Sequence, residues 1–359
     1  MTINTEALKL DFPYLAERCY LNTAAAGLSW AGQGAAAAQF YDSEKSRGIN
    51  GRHEWRSRLD SAERNVRALL GGFSGHINFL SNTTEALNLV AHSIKWIAGD
   101  EIVALADEFP SVLHAWHGAQ TAGAKIVVVE ARGESTRTAA LCNAITGKTR
   151  VIAVSHVHWV TGTAIDLQQL GRKCRDHGVL LVVDGIQAMG AIPVSLEFVD
   201  IYCGAVFKWL LSGFGLSILA VSQRAFDQMR PAYVGYPNLP PERSLNYGHV
   251  NYPGIYALDA TLEHLQAYGW RDIHSAVARN AARLAAGAVR LGYTVAAPQD
   301  ARAGIVSLVA DDARSLRDAL AKRGIDVEER SGLLRCSPHF YNTDEDVDRL
   351  LDALSVLSA

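Results

Sequence analysis

Short apolar runs recur through the first two thirds of the chain and alternate with stretches of helical periodicity. Apolar runs without polar alternation are typical of strands buried on both faces, as in parallel sheets. Such runs occur at residues 77–80, 102–106, 125–129, 151–154, 179–183, 201–206 and 216–221. The pattern predicts an α/β fold with a mostly parallel seven-stranded sheet flanked by helices, in which 216–221 returns at the edge.

The remaining apolar periodicity predicts helices before and after this alternation. Residues 35–70 form a largely helical stretch that is interrupted near Gly48 and Gly51, and residues 255–291 form one long helix. A strand at 305–309, a helix at 313–323, short strands at 325–328 and 333–336 and a final helix at 344–357 follow. We therefore divide the chain into an N-terminal segment 1–30, a large domain 31–252, and a connecting helix with a small α+β domain at 253–359.

Composition narrows the function classes. The 359 residues carry a formal net charge of -3, which gives no reason to expect nucleic acid or a membrane surface as a partner. No apolar run has the length of a membrane span, and the N-terminus does not have the pattern of a signal peptide. The five cysteines contain no CxxC pair, so we expect reduced thiols in a cytoplasmic protein without a bound metal.

Two charged residues follow buried runs, and they are the first candidates for catalysis. Asp184 ends the run at 179–183, and Lys208 follows the run at 201–206. The carboxyl ends of parallel strands face the crevice in which α/β enzymes bind ligands. A partly desolvated lysine there is a candidate Schiff-base nucleophile, and an aspartate beside it could keep a pyridinium nitrogen protonated. The simpler interpretation is a strand cap and a surface lysine.

Several strings in this sequence resemble one enzyme family. NTTEALNLVAHSI, SHVHWVTGT, VVDGIQA, FKWLLSGFG and LRCSPHFYNT are similar to motifs of the pyridoxal-phosphate (PLP) enzymes of fold type I, in the class V aminotransferase and cysteine desulfurase superfamily. The lysine string most resembles the isopenicillin N epimerase-like branch. The resemblance implies a fold type I PLP-transferase that forms a homodimer with active sites at the subunit interface. It also implies that segment 1–30 lies at the active-site mouth as part of the small domain.

The resemblance assigns cofactor contacts to individual residues. Thr83 and Thr84, at a strand-to-helix junction, correspond to phosphate-binding residues, although a plain helix cap would look the same. Phe109 corresponds to the aromatic residue that stacks on the pyridine ring. Asp184 pairs with the ring nitrogen, Gln187 lies near the phenolic oxygen, and Lys208 carries the Schiff base.

Substrate and interface contacts are also implied. Arg335 corresponds to the arginine that binds the substrate α-carboxylate, with a structural ion pair as the alternative. Asn22 and Trp159 are assigned to the substrate side of the site. His249 or Asn251 would reach the phosphate of the neighbouring subunit, in the long irregular stretch at 233–252 that helps to wall the pocket.

The sequence also departs from the desulfurase pattern. Ala205 and Phe207 stand where desulfurases tend to have serine and histidine, so one phosphate hydroxyl is missing. His156 is better explained as structural, and His158 stays undecided.

No cysteine lies in the loop 326–332, where desulfurases carry their nucleophile. We therefore expect a PLP enzyme that deprotonates the Cα of an amino acid, or of a metabolite derived from one, and proceeds as an epimerase or lyase. Transamination is the alternative. A cysteine desulfurase or a non-catalytic PLP-binding protein is disfavoured.

Overall fold

A computed structural model of the chain describes residues 5–131, 136–238 and 244–357. Residues 1–4 of the predicted N-terminal segment and residues 239–243 of the predicted loop lie outside the described residues. The strands are β1 Cys19–Tyr20, β2 His76–Leu80, β3 Glu101–Leu105, β4 Lys125–Val129, β5 Thr149–Ser155, β6 Leu180–Asp184, β7 Ile201–Ala205, β8 Ser217–Val221, β9 Val306–Val309, β10 Ile325–Asp326, β11 Glu328–Arg330 and β12 Leu333–Cys336.

Helices pack between and around these strands. The α-helices are α1 Thr5–Asp11, α2 Gln33–Arg47, α3 Arg52–Leu69, α4 Thr83–Ser93, α5 Pro110–His114, α6 His117–Gln120, α7 Arg137–Asn143, α8 Leu167–Asp176, α9 Gln223–Phe226, α10 Tyr252–Tyr268, α11 Trp270–Arg290, α12 Ala313–Lys322 and α13 Asp344–Leu357. Short 3₁₀ helices cover Pro13–Ala16, Gly48–Gly51, Tyr236–Asn238 and Gln299–Ala301. The interruption predicted near Gly48 and Gly51 is confirmed.

All seven strands predicted for the large sheet form, in the order β2-β8-β7-β6-β5-β3-β4. The pairs from β4 through β7 are parallel, and β8 runs antiparallel to both of its neighbours. The prediction that 216–221 lies at the edge is wrong. All five residues of β8 are buried, which suits an interior position. The edge strand on this side of the sheet is β2, which begins at the half-buried His76.

The apolar strands have a hydrophobic core on each face of the sheet. Leu181 and Val183 of β6 belong to one buried cluster, and Leu180 and Val182 belong to the other. This division follows from the two-residue period of a strand, in which successive side chains point to opposite faces. Burial on both faces explains why the sequence shows continuous apolar runs rather than alternation.

The prediction of one long helix at 255–291 is also wrong. Helix α10 ends at Tyr268 and α11 begins at Trp270, because Gly269 adopts φ 87°, a left-handed conformation that ends a helix. The two helices each show helical periodicity, so the pattern across the glycine resembled a single element.

A smaller sheet follows α11. Strands β11, β12 and β9 form it in that order, and both pairs are antiparallel. Strand β1 pairs in parallel with β10, so the N-terminal segment contacts the C-terminal part of the chain. The predicted division into an N-terminal segment, a large domain and a small domain stays a prediction.

No helix in the described part of the chain is long and apolar enough to span a membrane. The same residues include no cluster of three His, Cys, Asp or Glu side chains that could hold a metal ion.

Candidate active site

A cavity of about 180 Å³ opens at the carboxyl ends of β5, β6 and β7. It lies beside the first turn of α4. The residues that line it are Asn82, Thr83, Thr84, Phe109, Ser111, Ser155, Trp159, Asp184, Ile186, Gln187, Ala205, Phe207 and Lys208. The structure therefore brings together seven of the residues predicted for the site: Thr83, Thr84, Phe109, Trp159, Asp184, Gln187 and Lys208.

Asp184 is the last residue of β6, and it is 3% exposed. Its Oδ1 accepts a hydrogen bond from the backbone N–H of Ile186 at 2.9 Å. Among the described residues, no other side chain or N–H group binds its second oxygen. Burial raises the pKa of this carboxyl, although the Ile186 hydrogen bond and the charge of Lys208 act in the opposite direction. A buried carboxylate with a free oxygen suits a cationic ring nitrogen as its partner.

Lys208 lies three residues beyond β7 and lines the same cavity. Burial lowers the pKa of its ammonium, the charge of Asp184 opposes this shift, and the charges of Arg335 and Arg330 add to it. Lys208 and Asp184 are not in ion-pair contact in the described structure. Two buried groups of opposite charge thus line one cavity without direct contact, and burial shifts the amine of Lys208 toward its neutral, nucleophilic form.

The backbone around Lys208 is tightly constrained. The N–H of Gly27 donates to the carbonyl of Phe207 at 2.8 Å, and a Cβ on Gly27 would lie 2.1 Å from the carbonyl oxygen of Lys208. Leu211 adopts φ 55° in the turn that follows, an uncommon conformation for a bulky residue. Its N–H donates to the carbonyl of Lys208 at 3.1 Å. The loop is therefore fixed on both sides of the lysine.

The first turn of α4 and Ser111 together form a wall of the cavity that is rich in hydroxyl groups. Thr83 Oγ1 accepts a hydrogen bond from the N–H of Ala205 at 2.8 Å, which leaves its own hydrogen available to a ligand. The hydroxyls of Thr84 and Ser111 are hydrogen-bonded at 2.7 Å. One of those two hydroxyls donates to the other, so the pair retains one donor for a ligand. With the free N–H groups of the helix terminus, this wall can hold a phosphate.

The prediction did not include Ser111. It lies two residues after Phe109 in the string DEFPS, and only the fold brings it beside Thr84. Ala205 has no hydroxyl, so Ser111 supplies a hydroxyl to the cavity at another position of the same wall.

Phe109 and Trp159 form the aromatic part of the cavity. Their rings lie edge to face, with centroids 5.5 Å apart. Trp159 Nε1 donates to the carbonyl of Asp107 at 3.3 Å, and His158 Nε2 donates to the same oxygen at 2.9 Å. These bonds join the segment that carries Phe109 to the segment that carries Trp159. His158 is thereby engaged in positioning, and burial lowers its pKa.

A partly buried network of hydrogen bonds and ion pairs holds the residues that precede Phe109. Glu108 Oε2 accepts a hydrogen bond from Ser155 Oγ at 2.5 Å, and its Oε1 accepts from Arg137 Nη2 at 3.3 Å. Arg137 also forms an ion pair with Asp107. Burial raises the pKa of Glu108 to about 7 although Arg137 opposes the shift. The sequence analysis did not assign this network, because its members come from three separate elements.

Gln187 is 2% exposed and both ends of its amide are bound. Its Oε1 accepts from Trp209 Nε1 at 2.8 Å, and its Nε2 donates to the carbonyl of Ala24 at 3.1 Å. An amide nitrogen has two hydrogens, so one remains available to a cavity ligand. His156 is buried and hydrogen-bonded to Tyr202 at 2.9 Å, and burial lowers its pKa to about 4, which agrees with a structural role.

Arg335 reaches the site from β12. It is 2% exposed, and its Nη1 donates to the carbonyl of Trp159 at 2.8 Å. Among the described residues, its Nε has no hydrogen-bond partner and no carboxylate lies within ion-pair distance of its guanidinium. Burial lowers the pKa of Arg335 to about 10, and Arg330 adds to this shift. The alternative of a structural ion pair is therefore unsupported, and a buried guanidinium without an anion is suited to an anionic ligand.

Four predicted residues do not line this cavity: Arg335, which contacts its wall through the carbonyl of Trp159, and Asn22, His249 and Asn251. The backbone of Asn22 bridges to Ser337, and its buried Oδ1 has no hydrogen-bond partner among the described residues. His249 and Asn251 line a separate cavity beside β2. His249 Nδ1 is hydrogen-bonded to Tyr236 at 3.1 Å, and Asn251 caps α10.

The comparisons with known proteins agree with this architecture. The sequence profile described as aminotransferase class-V matches residues 19–350. The chain belongs to the class V aminotransferase family. Its enzymes depend on PLP, so the predicted family, enzyme class and cofactor are confirmed.

Individual relatives carry different names. The chain is 28% identical to an isopenicillin N epimerase of Streptomyces clavuligerus over 84% of each chain. It is 25% identical to the uncharacterized aminotransferase YcbU of Bacillus subtilis (strain 168) over 89% of each. The apo structure of a cysteine desulfurase from Thermococcus onnurineus NA1 has the same fold, with a TM-score of 0.88, 23% identity and coverage of 98% of this chain and 97% of that one.

Proposed function

We propose that this enzyme removes the Cα proton of an amino acid, or of a metabolite derived from one, and that it proceeds as an epimerase or a lyase. The main observation in support of this proposal is the arrangement of three charged groups. Lys208 and Asp184 line one cavity without forming an ion pair, and Arg335, beside the Trp159 wall of that cavity, has no carboxylate partner among the residues that the structure describes. When bound, PLP supplies an electron sink that makes the bonds at Cα easier to break.

The residues of the cavity fit this cofactor by the chemistry of their donors. Thr83, Thr84 and Ser111 would hold the phosphate together with the N-terminus of α4, and Asp184 would hold the ring nitrogen. Phe109 would lie against the ring, and the free N–H of Gln187 would donate to the phenolic oxygen. The pocket combines a cation partner, an anion cradle and an aromatic face.

Lys208 is the proposed general base. A base works best when its pKa lies near the working pH, and burial shifts the pKa of this lysine in that direction. The backbone contacts of Gly27 and Leu211 fix the Cα of Lys208, from which the side chain enters the cavity. Arg335 would bind the α-carboxylate and Trp159 would cover the bound substrate, while the role of Asn22 on the substrate side stays a prediction.

A homodimer is part of the proposal. Within one chain, His249 and Asn251 line a cavity other than that of Lys208, and they would serve the phosphate of the neighbouring subunit. The aminotransferase name of the relative YcbU supports transamination as the second candidate.

Persulfide chemistry is disfavoured. None of the five cysteines lines the cavity, and burial raises the pKa of Cys336 to about 12. All five thiols are unpaired, which fits a cytoplasmic enzyme.

Borohydride trapping tests the assignment of Lys208 to the cofactor. The purified protein should show a visible absorbance band that borohydride abolishes, and peptide mapping should find the reduced cofactor on Lys208. Lys208→Ala should bind PLP without forming the reducible adduct. A cofactor trapped on another lysine, or no band after PLP is added, would contradict the proposal.

A further inference from the structure

Arg330 lies on the same face of the small sheet as Arg335. The register of β11 and β12 pairs Glu328 with Arg335 and Arg330 with Leu333. Directly opposed residues of an antiparallel pair share a face, and so do residues two apart on one strand. Glu328, Arg330, Leu333 and Arg335 therefore share one face. Arg330 and Arg335 are diagonal neighbours, a spacing of about 7–8 Å that long side chains can bridge.

This face is directed at the candidate active site. Arg335 donates to the carbonyl of Trp159, and Ser307, which is opposite Arg335 on β9, donates from its Oγ to the carbonyl of Val160 at 2.5 Å. The other face carries Val306, Leu308, Leu334 and Cys336, which belong to the core with α11 and α13. The charge of Arg330 lowers the pKa of both Lys208 and Arg335, which agrees with a position within electrostatic range of the two groups.

The tip of the hairpin holds Arg330 in place. Ser331 and Gly332 form a two-residue connection with φ values of 52° and 79°, as a type I′ turn requires. A positive φ is uncommon for serine, and such backbone conformations cluster at functional sites. The turn fixes Arg330 opposite Leu333, at the half-exposed end of the face.

The existing partners of Arg330 are weak. Its Nη1 donates to the carbonyl of Glu329 at 3.2 Å, and its Nη2 lies 3.5 Å from Glu328 Oε2. Glu328 also lies 3.5 Å from Arg317, which is already bound by Asp318. Loose ion pairs at partly exposed positions contribute little to stability, so an incoming carboxylate can replace Glu328 at Arg330 at small cost.

We propose that Arg330 binds a second carboxylate, at the far end of the substrate side chain, while Arg335 binds the α-carboxylate. The preferred substrates are then amino acids whose side chains end in an acid. The inference rests on the proposed function, and it assigns specificity to the hairpin that holds Arg330. Glu328 opposes such substrates by like-charge repulsion, and so it selects the chain length that reaches past it.

Substitution of Glu328 distinguishes the two roles of Arg330 by the direction in which substrate affinity changes. If Arg330 only forms a surface pair with Glu328, then Arg330→Gln and Glu328→Gln should have the same effect. If Arg330 binds substrate, Arg330→Gln should weaken the binding of acidic amino acids and Glu328→Gln should strengthen it. Removing one charge-assisted hydrogen bond of this kind changes affinity by about tenfold.

The experiment titrates PLP-loaded enzyme with L-aspartate, L-glutamate and L-2-aminoadipate, and with L-glutamine and L-norleucine as neutral controls. The dissociation constant is read from the change in cofactor absorbance, so turnover is not needed. Arg271→Gln, at a fully solvated arginine, is the matched control variant. Tighter binding of at least one acidic amino acid, lost in Arg330→Gln and enhanced in Glu328→Gln, is the expected result.

Two failures are distinguishable. A wild type that responds to neutral and acidic amino acids alike, or variants that shift both series equally, would overturn the role of Arg330 and leave the proposed function standing. A wild type that responds to no amino acid would overturn the proposed function and this inference with it.

Discussion

The two sides of the cavity differ in how their polar groups are satisfied. On the side of the large sheet, Thr83, Gln187 and Ser111 each bind a neighbouring residue, and each retains part of its hydrogen-bonding capacity. On the side of the small sheet, Arg335 is buried, and in the described part of the chain its Nε has no partner and its guanidinium has no carboxylate. The first side is a cradle in which most groups are already bound and single positions, such as the second oxygen of Asp184, stay open, whereas the second side requires an anion from outside the chain.

This difference fits two separate roles, in which the large-sheet side holds the cofactor and the small-sheet side binds the substrate. Groups that hold a resident cofactor can be satisfied in advance, because the cofactor stays in place through many turnovers. A group that binds a transient substrate has to be available each time. The predictions below test whether the division is real, beginning with the largest expected effect.

Asp184→Asn should separate activity from stability. Removing a preorganised charge from a buried site should lower kcat/KM by about 10³-fold. The raised pKa of this carboxyl means that its charged form destabilises the fold above its unfolded pKa, so the asparagine variant should unfold at the same temperature as wild type or higher at pH 8. Kinetics and thermal melts of the PLP-free protein measure the two effects. A loss of melting temperature would mean that Asp184 is structural.

Arg335→Gln should affect the substrate side alone. Loss of a buried, bidentate carboxylate contact should raise KM by about 10²-fold, and Arg335→Lys should recover only part of it. The dissociation constant of PLP should stay within about twofold of wild type, since that difference is below the value of one hydrogen bond. Titration of each apoprotein with PLP supplies the control. Equal weakening of cofactor and substrate would contradict the division between the two sides.

Ser111→Ala should affect the cradle alone. The loss of one hydroxyl should raise the dissociation constant of PLP by about fivefold, with little change in KM. Ala205→Ser places a hydroxyl on the same wall of the cavity and should restore PLP affinity in the double variant. Fluorescence titration of the apoproteins measures both. An unchanged affinity in Ser111→Ala would remove this residue from the phosphate site.

The smallest expected effect is a shift in the pH dependence of activity. The proposed reaction needs neutral Lys208, so activity should fall as the pH drops through the lysine pKa, which lies below the usual value of about 10.4. Arg330 favours the neutral amine, and Arg330→Gln should move this limb to higher pH by roughly a few tenths of a unit, given the partial exposure of Arg330. A shift to lower pH would contradict the charge arrangement described above.

Sequence could locate the residues at strand ends but not their partners. Asp184 and Lys208 follow apolar runs that are buried on both faces, and this local pattern is sufficient to place them at one crevice. Ser111 and Gly27 act through neighbours that are distant in the chain, so no local pattern marks them. The interior position of β8 depends on its pairing with β2, which is distant in the chain. The sequence pattern does not reveal the break at Gly269, because the apolar residues before and after it both recur with the period of a helix.

The central claim, that Lys208 moves the Cα proton, is tested most directly by hydrogen exchange. PLP-loaded enzyme in D₂O should exchange the Cα hydrogen of its preferred amino acid for deuterium, as followed by proton NMR. Lys208→Ala with PLP bound should lose this exchange, and a small primary amine added to the solution should restore part of it. Exchange at the wild-type rate in Lys208→Ala would show that another group is the base and would contradict the account.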